Sequence, residues 1–444
     1  MKAPLFIVVG LVVASFMMAP IAHAEFLSAD ERARLEAEYQ KLQIEIAEWQ
    51  RVLDDTQSKK NSLQGDVTAL NAQIKRAEAE IKQRNLTITN LSAEINARSK
   101  TIQTLDAKVI RAQASLAAML RQVRERGDAS IAEIILSSES VSDFFADVDA
   151  MVVIERKLRG LFGEIKVAKT TAEVERETLA KRQDQELDAR YEVELKKKVV
   201  AKNETEKKEL LNITKNQEAT YQKVLVERQQ QAAKIRAALF PLRDSGGIPF
   251  GTALDYASAA AQKTGVRASF ILAILSQESD LGKNVGSCYV TDLTTGNGVG
   301  KNTGRAFSGV MKSPRDTEPF VKVTSQLGLQ WATTPVSCPI TGGYGGAMGP
   351  SQFIPSTWIS YQARLARALG VSVPNPWEAK DAIMATALYM MDLGADAQTY
   401  SAERKAAAQY YAGSGWATRG LGYAASVLAK AEDFQNNIDF LKGL

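Results

Sequence analysis

Histidine is nearly absent from the sequence, since His23 is the single one in 444 residues. A chain that loses this residue has no Ser-His-Asp triad, no Cys-His pair and no histidine-ligated metal. Acid–base chemistry would then depend on carboxylates, lysine, tyrosine or cysteine. A large charge excess is absent too, because the formal net charge is only +4. This balance argues against nucleic acid as a main partner, since phosphate binding needs many cations.

The first 24 residues have the pattern of an export signal. Lys2 gives a positive start, an apolar stretch covers residues 5–18, and a small-x-small triplet occupies residues 22–24. We therefore expect residues 1–24 to be a cleaved signal peptide and the mature protein to be periplasmic or extracellular. An uncleaved membrane anchor is the alternative, for which the apolar run is short.

Cysteine is scarce: only Cys288 and Cys338 are present, both in the C-terminal third. An even number in an exported protein predicts one disulfide. It would close a loop of about 50 residues and stabilise the fold by roughly 4 kcal/mol. Two unpaired buried thiols are the alternative. Two cysteines without histidine make a poor metal site, and we expect neither a metal nor a cofactor.

Proline is missing from residues 21–240, and only four glycines interrupt that span. Residues 25–240 hold 73 charged side chains, against 32 in 241–444, where 10 of the 12 prolines and 24 of the 29 glycines lie. A long charged segment without helix breakers predicts a helical rod, and a Gly- and Pro-rich one predicts a compact domain with loops. We place a linker at 241–249 and the compact domain at 250–444.

A heptad repeat runs through the first part of the rod. Steps of four and three from Leu35 to Val123 give 26 positions, of which 22 are apolar. The exceptions are Thr56, Lys60, Arg84 and Arg98. Such a frame predicts a left-handed coiled coil. Residues 165–240 are equally free of breakers but have weaker apolar spacing, and we expect them to fold back antiparallel on the first helix.

Between the two arms, residues 127–163 lose the heptad pattern. Their spacing predicts a lobe of short amphipathic helices, in which Phe144 and Phe145 add aromatic bulk to a charged rod. The lobe is either the plain tip of a helical hairpin or a partner-binding site that uses these two side chains.

Part of this region resembles the coiled-coil domain of cell-division murein-hydrolase activators. The similarity is carried by the runs at 116–127, 134–136 and 140–145 and is generic elsewhere in 25–240. In those proteins an antiparallel coil engages the extracellular part of a division-associated ABC-type transporter complex. The resemblance implies a transporter complex of this kind as a partner of the coil.

The compact domain opens with an apolar helix that ends in a carboxylate. Residues 271–275 predict a buried helix face, and Glu278 follows Ile274 by four residues on the same side. Burial would raise the pKa of this carboxyl, so that it stays protonated near neutral pH and serves as a general acid. A solvent-facing Glu in a last helical turn is the alternative.

Two further motifs follow along the chain. Residues 345–358 combine glycines, which allow close approach to a ligand, with Gln352, which donates and accepts hydrogen bonds. Residues 406–416 predict a helix that ends in Tyr410, Tyr411 and a glycine stop. Each motif alone is a weak signal, whereas their order is distinctive.

The ordered motifs resemble those of lytic transglycosylases of the lysozyme-like superfamily, and the central motif is most similar to the membrane-bound lytic transglycosylase B type. The similarity covers about residues 248–440. It implies that Glu278 is the catalytic acid/base and that glycan strands of peptidoglycan are the substrate. The implied substrate-binding residues are Ser279, Tyr344, Met348, Ser351, Gln352, Tyr410 and Tyr411. The family often has Asn where Tyr411 stands, which is a departure from its pattern.

A single carboxylate suits a lytic transglycosylase, whose acid protonates the glycosidic oxygen and then removes a proton from the substrate's own C6 hydroxyl. A two-carboxylate hydrolase needs a second acid about 5–10 Å away. Asp280 would lie on the opposite side of the helix from Glu278, and Asp292, Asp316 and Glu318 are the loop candidates. A goose-type muramidase on the same fold and an inactive peptidoglycan-binding scaffold are the alternatives.

The sequence thus predicts a mainly α protein. A long antiparallel coiled-coil hairpin precedes an α-rich lysozyme-like catalytic domain with a small loop or β-hairpin insertion. The coil either regulates the enzyme, in cell division or wall remodelling, or acts as a passive spacer.

Overall fold

The computed structural model describes residues 63–125, 141–212 and 247–442, with a few helical residues between 37 and 48 and at 226 and 230. Within these residues no helix is both long enough and apolar enough to cross a membrane. The predicted signal peptide at 1–24 and most of the linker at 241–249 lie outside the described residues. The chain divides into two units: the first contains the described residues up to 60 and within 68–204, and the second contains 63–67 and the described residues of 205–442.

Two long helices make up the first unit. Helix α1 runs over Leu63–Glu125 and helix α2 over Val141–Leu211. Lys196 of α2 pairs with Glu80 of α1 at 2.5 Å, and Arg182 pairs with Glu94 at 2.8 Å. Residue numbers therefore rise along one helix as they fall along the other. The helices are antiparallel, as predicted.

Apolar side chains of the predicted heptad frame are buried in this unit. The buried members from α1 are Leu70, Ile74, Ala77, Leu91, Ile102 and Ala112. Two charged exceptions in the frame, Arg84 and Arg98, form ion pairs with Glu192 and Glu175 of α2. The seam thus tolerates a cation where the facing helix supplies a carboxylate, and the mainly α fold class is confirmed.

Residues 141–163 differ from the predicted short helices. Helix α2 begins at Val141 and passes through Gly160 and Gly163 without a break. A Cβ added at either glycine would meet no atom within 4 Å, so both lie on open helix surface. Glycine costs about 1 kcal/mol relative to alanine in a helix, too little to end a helix of this length. Residues 126–140 and the side chains of Phe144 and Phe145 lie outside the described residues.

A short helix lies at the centre of the second unit. Helix α3 covers Phe250–Thr264 and helix α4 covers Ala268–Ser279. Residues 270–275 of α4 have no exposed surface, so the helix is apolar on all sides rather than on one face. It is enclosed by α3 and by two later helices, α7 (Ala379–Asp392) and α9 (Leu421–Lys442).

Three further α-helices complete this unit within the described residues. Their bounds are Thr317–Gln326 for α5, Pro355–Leu369 for α6 and Tyr400–Ala412 for α8. Short 3₁₀ turns lie at Trp331–Thr333, Ala395–Ala397 and Gly413–Gly415, and a π-helical turn covers Trp416–Gly420.

The segment between the first two motifs forms a small sheet and helix α5. Strands β1 (Cys288–Val290), β2 (Gly298–Gly300) and β3 (Ala306–Phe307) are antiparallel in that order. Glycine is required at 298, since a Cβ there would lie 2.0 Å from the carbonyl oxygen of Tyr289. The predicted insertion is confirmed as a three-stranded sheet, whereas α5 was not predicted.

The predicted disulfide between Cys288 and Cys338 is present. Cys288 also exchanges two backbone hydrogen bonds of 2.9 Å with Val336. Both ends of the inserted segment are therefore held together by a covalent bond and by a backbone pair.

Candidate active site

Glu278 lies in the last turn of α4, at the end of the most buried helix of the second unit. The next residues leave the helix abruptly, because Asp280, Leu281 and Gly282 all have positive φ angles of 50°, 52° and 84°. Left-handed backbone costs energy for Asp and Leu, and such strain is concentrated at functional sites. This turn directs the chain away from α4 and leaves the Glu278 side chain half-buried at the helix end.

The partner of the Glu278 carboxylate is a neutral hydroxyl. Tyr423, in the first turn of α9, donates a hydrogen bond to Oε1 of Glu278. Burial raises the pKa of Glu278 above its ordinary value, and this hydrogen bond opposes the rise. Burial and the adjacent carboxylate also raise the pKa of Tyr423, so its hydroxyl keeps its proton. Glu278 is therefore easier to protonate than an exposed carboxyl, and it lies beside a hydroxyl that remains a donor.

Ser279 joins α4 to the central motif. Its Oγ donates to the carbonyl oxygen of Pro350 at 2.6 Å and accepts from the backbone N–H of Gly282 at 2.9 Å. The side chain is 1% exposed, so its hydroxyl does not face solvent. These bonds fix the loop at 345–354 beside Glu278, and substrate binding by Ser279 stays a prediction.

Ser351 has a similar structural role. Its buried Oγ donates to the carbonyl oxygen of Ala382 at 2.6 Å and accepts from Thr386 Oγ1 at 2.9 Å. Tyr410, the first tyrosine of the third motif, donates to the Ser351 carbonyl oxygen at 2.8 Å. These contacts anchor the loop to α7 and α8. A contact of Ser351 with substrate stays a prediction.

Two residues of the central motif, Met348 and Gln352, differ in how deeply they are buried. Met348 is fully buried and forms a backbone bridge with Phe353, and its part in substrate binding stays a prediction. Gln352 is half-buried with a φ of 51°, and its Nε2 donates to the carbonyl oxygen of Gly349 at 2.7 Å. This bond fixes the amide, and Gln352 stays a candidate for substrate binding.

The tyrosines of the third motif meet Tyr423. The Tyr411 and Tyr423 rings stack at 5.0 Å between centroids and 13° between planes, and the Tyr410 ring lies 6.3 Å from Tyr423. Tyr411 is 62% exposed. Tyr344 has a different neighbour: Lys312 Nζ lies 5.7 Å from the centre of its ring. The structure thus joins Tyr410 and Tyr411 to Glu278 through Tyr423, and places Tyr344 against the inserted segment.

The other acidic candidates each have contacts of their own. Asp280 pairs with Lys283 at 2.9 Å. Asp292 accepts from Thr295 Oγ1 at 2.6 Å and from backbone N–H groups, which lower its pKa. Buried Asp316 accepts from Ser356 Oγ at 2.5 Å. Glu318 is exposed in the first turn of α5.

Tyr423 was missed by the sequence analysis. It lies beyond the third motif, in a helix with no recognisable pattern of its own. The packing of α9 along α4 is what brings it to Glu278, and Ser426, one turn later, donates to Gln277 at 2.9 Å. The available signal was a tyrosine in the first turn of the last apolar helix, which alone does not indicate a site.

A cavity of about 600 Å³ opens at the other end of α4. It is lined by residues of α3, α4 and α9, including Asp255, Arg267 and Gln435. Arg267 holds buried Glu403 there through two hydrogen bonds, one of 2.7 Å from Nε. Ala268, which lines this cavity, precedes Glu278 by ten residues of helix, about 15 Å, so the cavity is not the candidate site. Among the described residues no group of three or more His, Cys, Asp or Glu side chains could hold a metal.

Comparison with known proteins gives one family. The model of the transglycosylase SLT domain matches residues 188–419, and no curated protein and no solved structure matches the chain. The matched range begins within α2 and contains Glu278, the central motif and both tyrosines of the third motif. It covers just over half of the sequence. The chain therefore belongs to the transglycosylase SLT domain family.

Proposed function

We propose that the protein is a peptidoglycan lytic transglycosylase, which cleaves the β-1,4 bond between MurNAc and GlcNAc and leaves 1,6-anhydro-MurNAc ends. Membership of the transglycosylase SLT family supports an enzyme that cleaves glycosidic bonds in peptidoglycan. The observation that carries the finer proposal is Glu278: a carboxyl at the end of a buried helix whose pKa is raised by burial and whose partner is a neutral hydroxyl.

Glu278 would act twice in one turnover. First, its carboxyl gives a proton to the glycosidic oxygen as the bond from that oxygen to C1 of MurNAc breaks. The carboxylate then takes the proton of the MurNAc C6 hydroxyl, whose oxygen bonds to C1. The proton returns to Glu278, and no water is consumed. One carboxyl is sufficient for both steps, and the nearby Asp280 is held in an ion pair with Lys283.

The product distinguishes this reaction from hydrolysis. We would digest purified peptidoglycan with the mature chain in isotopically labelled water and analyse the muropeptides by mass spectrometry. A lytic transglycosylase releases anhydro ends without label, whereas a goose-type muramidase releases reducing ends that carry it. An inactive binding scaffold would release neither, although it would still co-sediment with the polymer.

We also propose that the enzyme is exported and that its coil regulates it. Residues 1–24 would be removed on export, which places the enzyme at the cell wall. The start of α2, with Phe144 and Phe145, would bind a partner resembling the division-associated transporter complex and so regulate the enzyme. A Phe144→Ala/Phe145→Ala variant tests this in cells, with Val167→Ala/Val174→Ala, two exposed residues of α2 beyond the lobe, as the control. Normal division in both variants would leave the coil as a spacer.

A further inference from the structure

The exposed ring of Tyr411 lies flat against Tyr423. Tyr411 lies in the last turn of α8 beside Tyr410. It has 62% of its surface exposed, whereas Tyr410 is turned inward to the Ser351 carbonyl. An exposed aromatic side chain at a helix end ordinarily samples several rotamers. Here the centroid distance of 5.0 Å and the angle of 13° to Tyr423 lie in the range that aromatic pairs favour.

The backbone between α8 and α9 imposes this stack. Gly413 has a φ of 54° and a ψ of −130°, which is open to glycine alone. The π-helical turn at Trp416–Gly420 follows, and such turns are frequent at functional sites. A Cβ on Gly420 would lie 2.3 Å from the carbonyl oxygen of Ala408. The first turn of α9 is thereby held close to the end of α8.

We propose that Tyr411 is a positioning residue, whose ring holds the Tyr423 hydroxyl against the carboxyl of Glu278. Tyr423 makes the hydrogen bond, and Tyr411 covers its ring. A rotation of Tyr423 away from Glu278 has to separate the two stacked rings. Tyr411 itself does not touch the reacting atoms. This inference rests on the proposed function, because it takes Glu278 to be the acid and base of the reaction.

The proposed role requires an aromatic ring at position 411 but no hydroxyl. Only a flat ring stacks on Tyr423, and the Tyr411 hydroxyl takes no part in the contact. Phenylalanine should therefore replace Tyr411, whereas alanine or the asparagine common elsewhere in the family should not. Loss of the stack should lower the population of the bonded Tyr423 rotamer by up to about tenfold.

The pH profile separates positioning from substrate contact. Burial raises the pKa of Glu278 and the Tyr423 hydrogen bond opposes this rise, so a weakened bond raises the pKa further. Activity is lost as pH rises and Glu278 deprotonates. The basic limb of the kcat profile should therefore move to higher pH in Tyr411→Ala and Tyr423→Phe. It should stay in place in Tyr411→Phe.

The experiment measures kcat and KM against pH with soluble glycan strands, for the wild type, these three variants and Tyr411→Ala/Tyr423→Phe. We expect up to about a tenfold loss of kcat in Tyr411→Ala. The double variant should show no larger limb shift than Tyr423→Phe, because both changes act on one hydrogen bond. A raised KM with a wild-type limb in Tyr411→Ala would overturn the inference and make Tyr411 a substrate contact.

Failure of the underlying function has a different signature. If the wild type releases no anhydro ends, or if Glu278→Gln retains full activity, the proposed reaction is wrong whatever Tyr411 does. Because Tyr411 is exposed, its variants should fold, and thermal melting of each purified protein checks this. A Tyr411→Phe variant with the limb shift of Tyr411→Ala would count against the stack and in favour of the hydroxyl.

Discussion

Carboxylates in the two units of the protein have different surroundings. In the helical unit they pair with cations near solvent, as Glu94 does with Arg182, both about one-third exposed. In the compact unit Glu403 and Glu278 are withdrawn from solvent, and only Glu403 has an arginine partner. Charge in the first unit fixes how two helices align at little cost. A carboxylate withdrawn from solvent in the second unit pairs with a cation, as Glu403 does, or has its pKa raised by burial, as Glu278 does. The raised pKa suits Glu278 to proton transfer.

The strongest test of this difference is to neutralise Glu278. Glu278→Gln keeps the size of the side chain and its contact with Tyr423, but it removes the transferable proton. We expect cleavage of peptidoglycan to fall by about 10²–10⁴-fold, the usual contribution of a general acid or base. Release of anhydro muropeptides over time measures it. Asp280→Asn is the matched control, two residues away and exposed, and should stay near wild type. A large loss in the control would instead indicate two carboxylates.

Removing the disulfide should have the next largest effect, and in the compact unit alone. Cys288→Ser/Cys338→Ser frees a loop closed over 50 residues, which should lower the free energy of unfolding by about 4 kcal/mol. The helical unit contains no cysteine. Circular dichroism during denaturant unfolding should therefore show an earlier transition for the compact unit. A shift of equal size for the long helices would contradict separate stabilisation of the two units.

The sequence predicts best those features that neighbouring residues determine, and least well those that depend on packing between distant helices. The coiled-coil seam follows from the spacing of Ile74, Leu91 and Ile102, and the half-buried position of Glu278 follows from the apolar run before it. Tyr423 could not be found this way, because the packing of α9 on α4 brings together residues 145 positions apart. For the same reason the sequence does not show that Met348 is buried, because a motif gives residue types but not which of them face the core.

Breaking the buried ion pair between Glu403 and Arg267 should also destabilise the compact unit. Arg267→Met leaves Glu403, which is 1% exposed, without its cation. Since the arginine itself retains 28% exposure, we expect a loss of about 2–3 kcal/mol, measured by chemical unfolding. The double variant Arg267→Met/Glu403→Leu should recover part of it, because no buried charge remains. A double variant less stable than Arg267→Met would contradict the role given to the charge.

Replacing Glu278 should have a smaller effect on stability, and it should stabilise rather than destabilise the compact unit. Its pKa is raised in the folded protein, so the native state binds the proton more tightly than the unfolded chain. The stability linked to this group is therefore present below the unfolded pKa and declines as pH rises through the folded pKa. Glu278→Gln removes that decline and should raise the melting temperature at neutral pH. The gain should vanish in acid. An unchanged difference across this pH range would show that ionisation of Glu278 does not cost stability.

The smallest effect should come from an exposed ion pair of the helical unit. Arg176 and Asp106 lie 2.5 Å apart with about half of each side chain exposed, so Asp106→Ala should cost about 0–1 kcal/mol, and less in high salt. Arg98→Ala is the informative companion, because Arg98 and Glu175 are only about one-fifth exposed and Arg98 occupies the predicted seam. Thermal unfolding followed by helicity should rank Arg98→Ala as the more damaging change. Asp106→Ala could instead prove as harmful as Arg98→Ala at both low and high salt. Exposed ion pairs of the helical unit would then contribute as much stability as the ion pair at the seam. The contrast between weak exposed pairs in the first unit and strong buried groups in the second would be smaller.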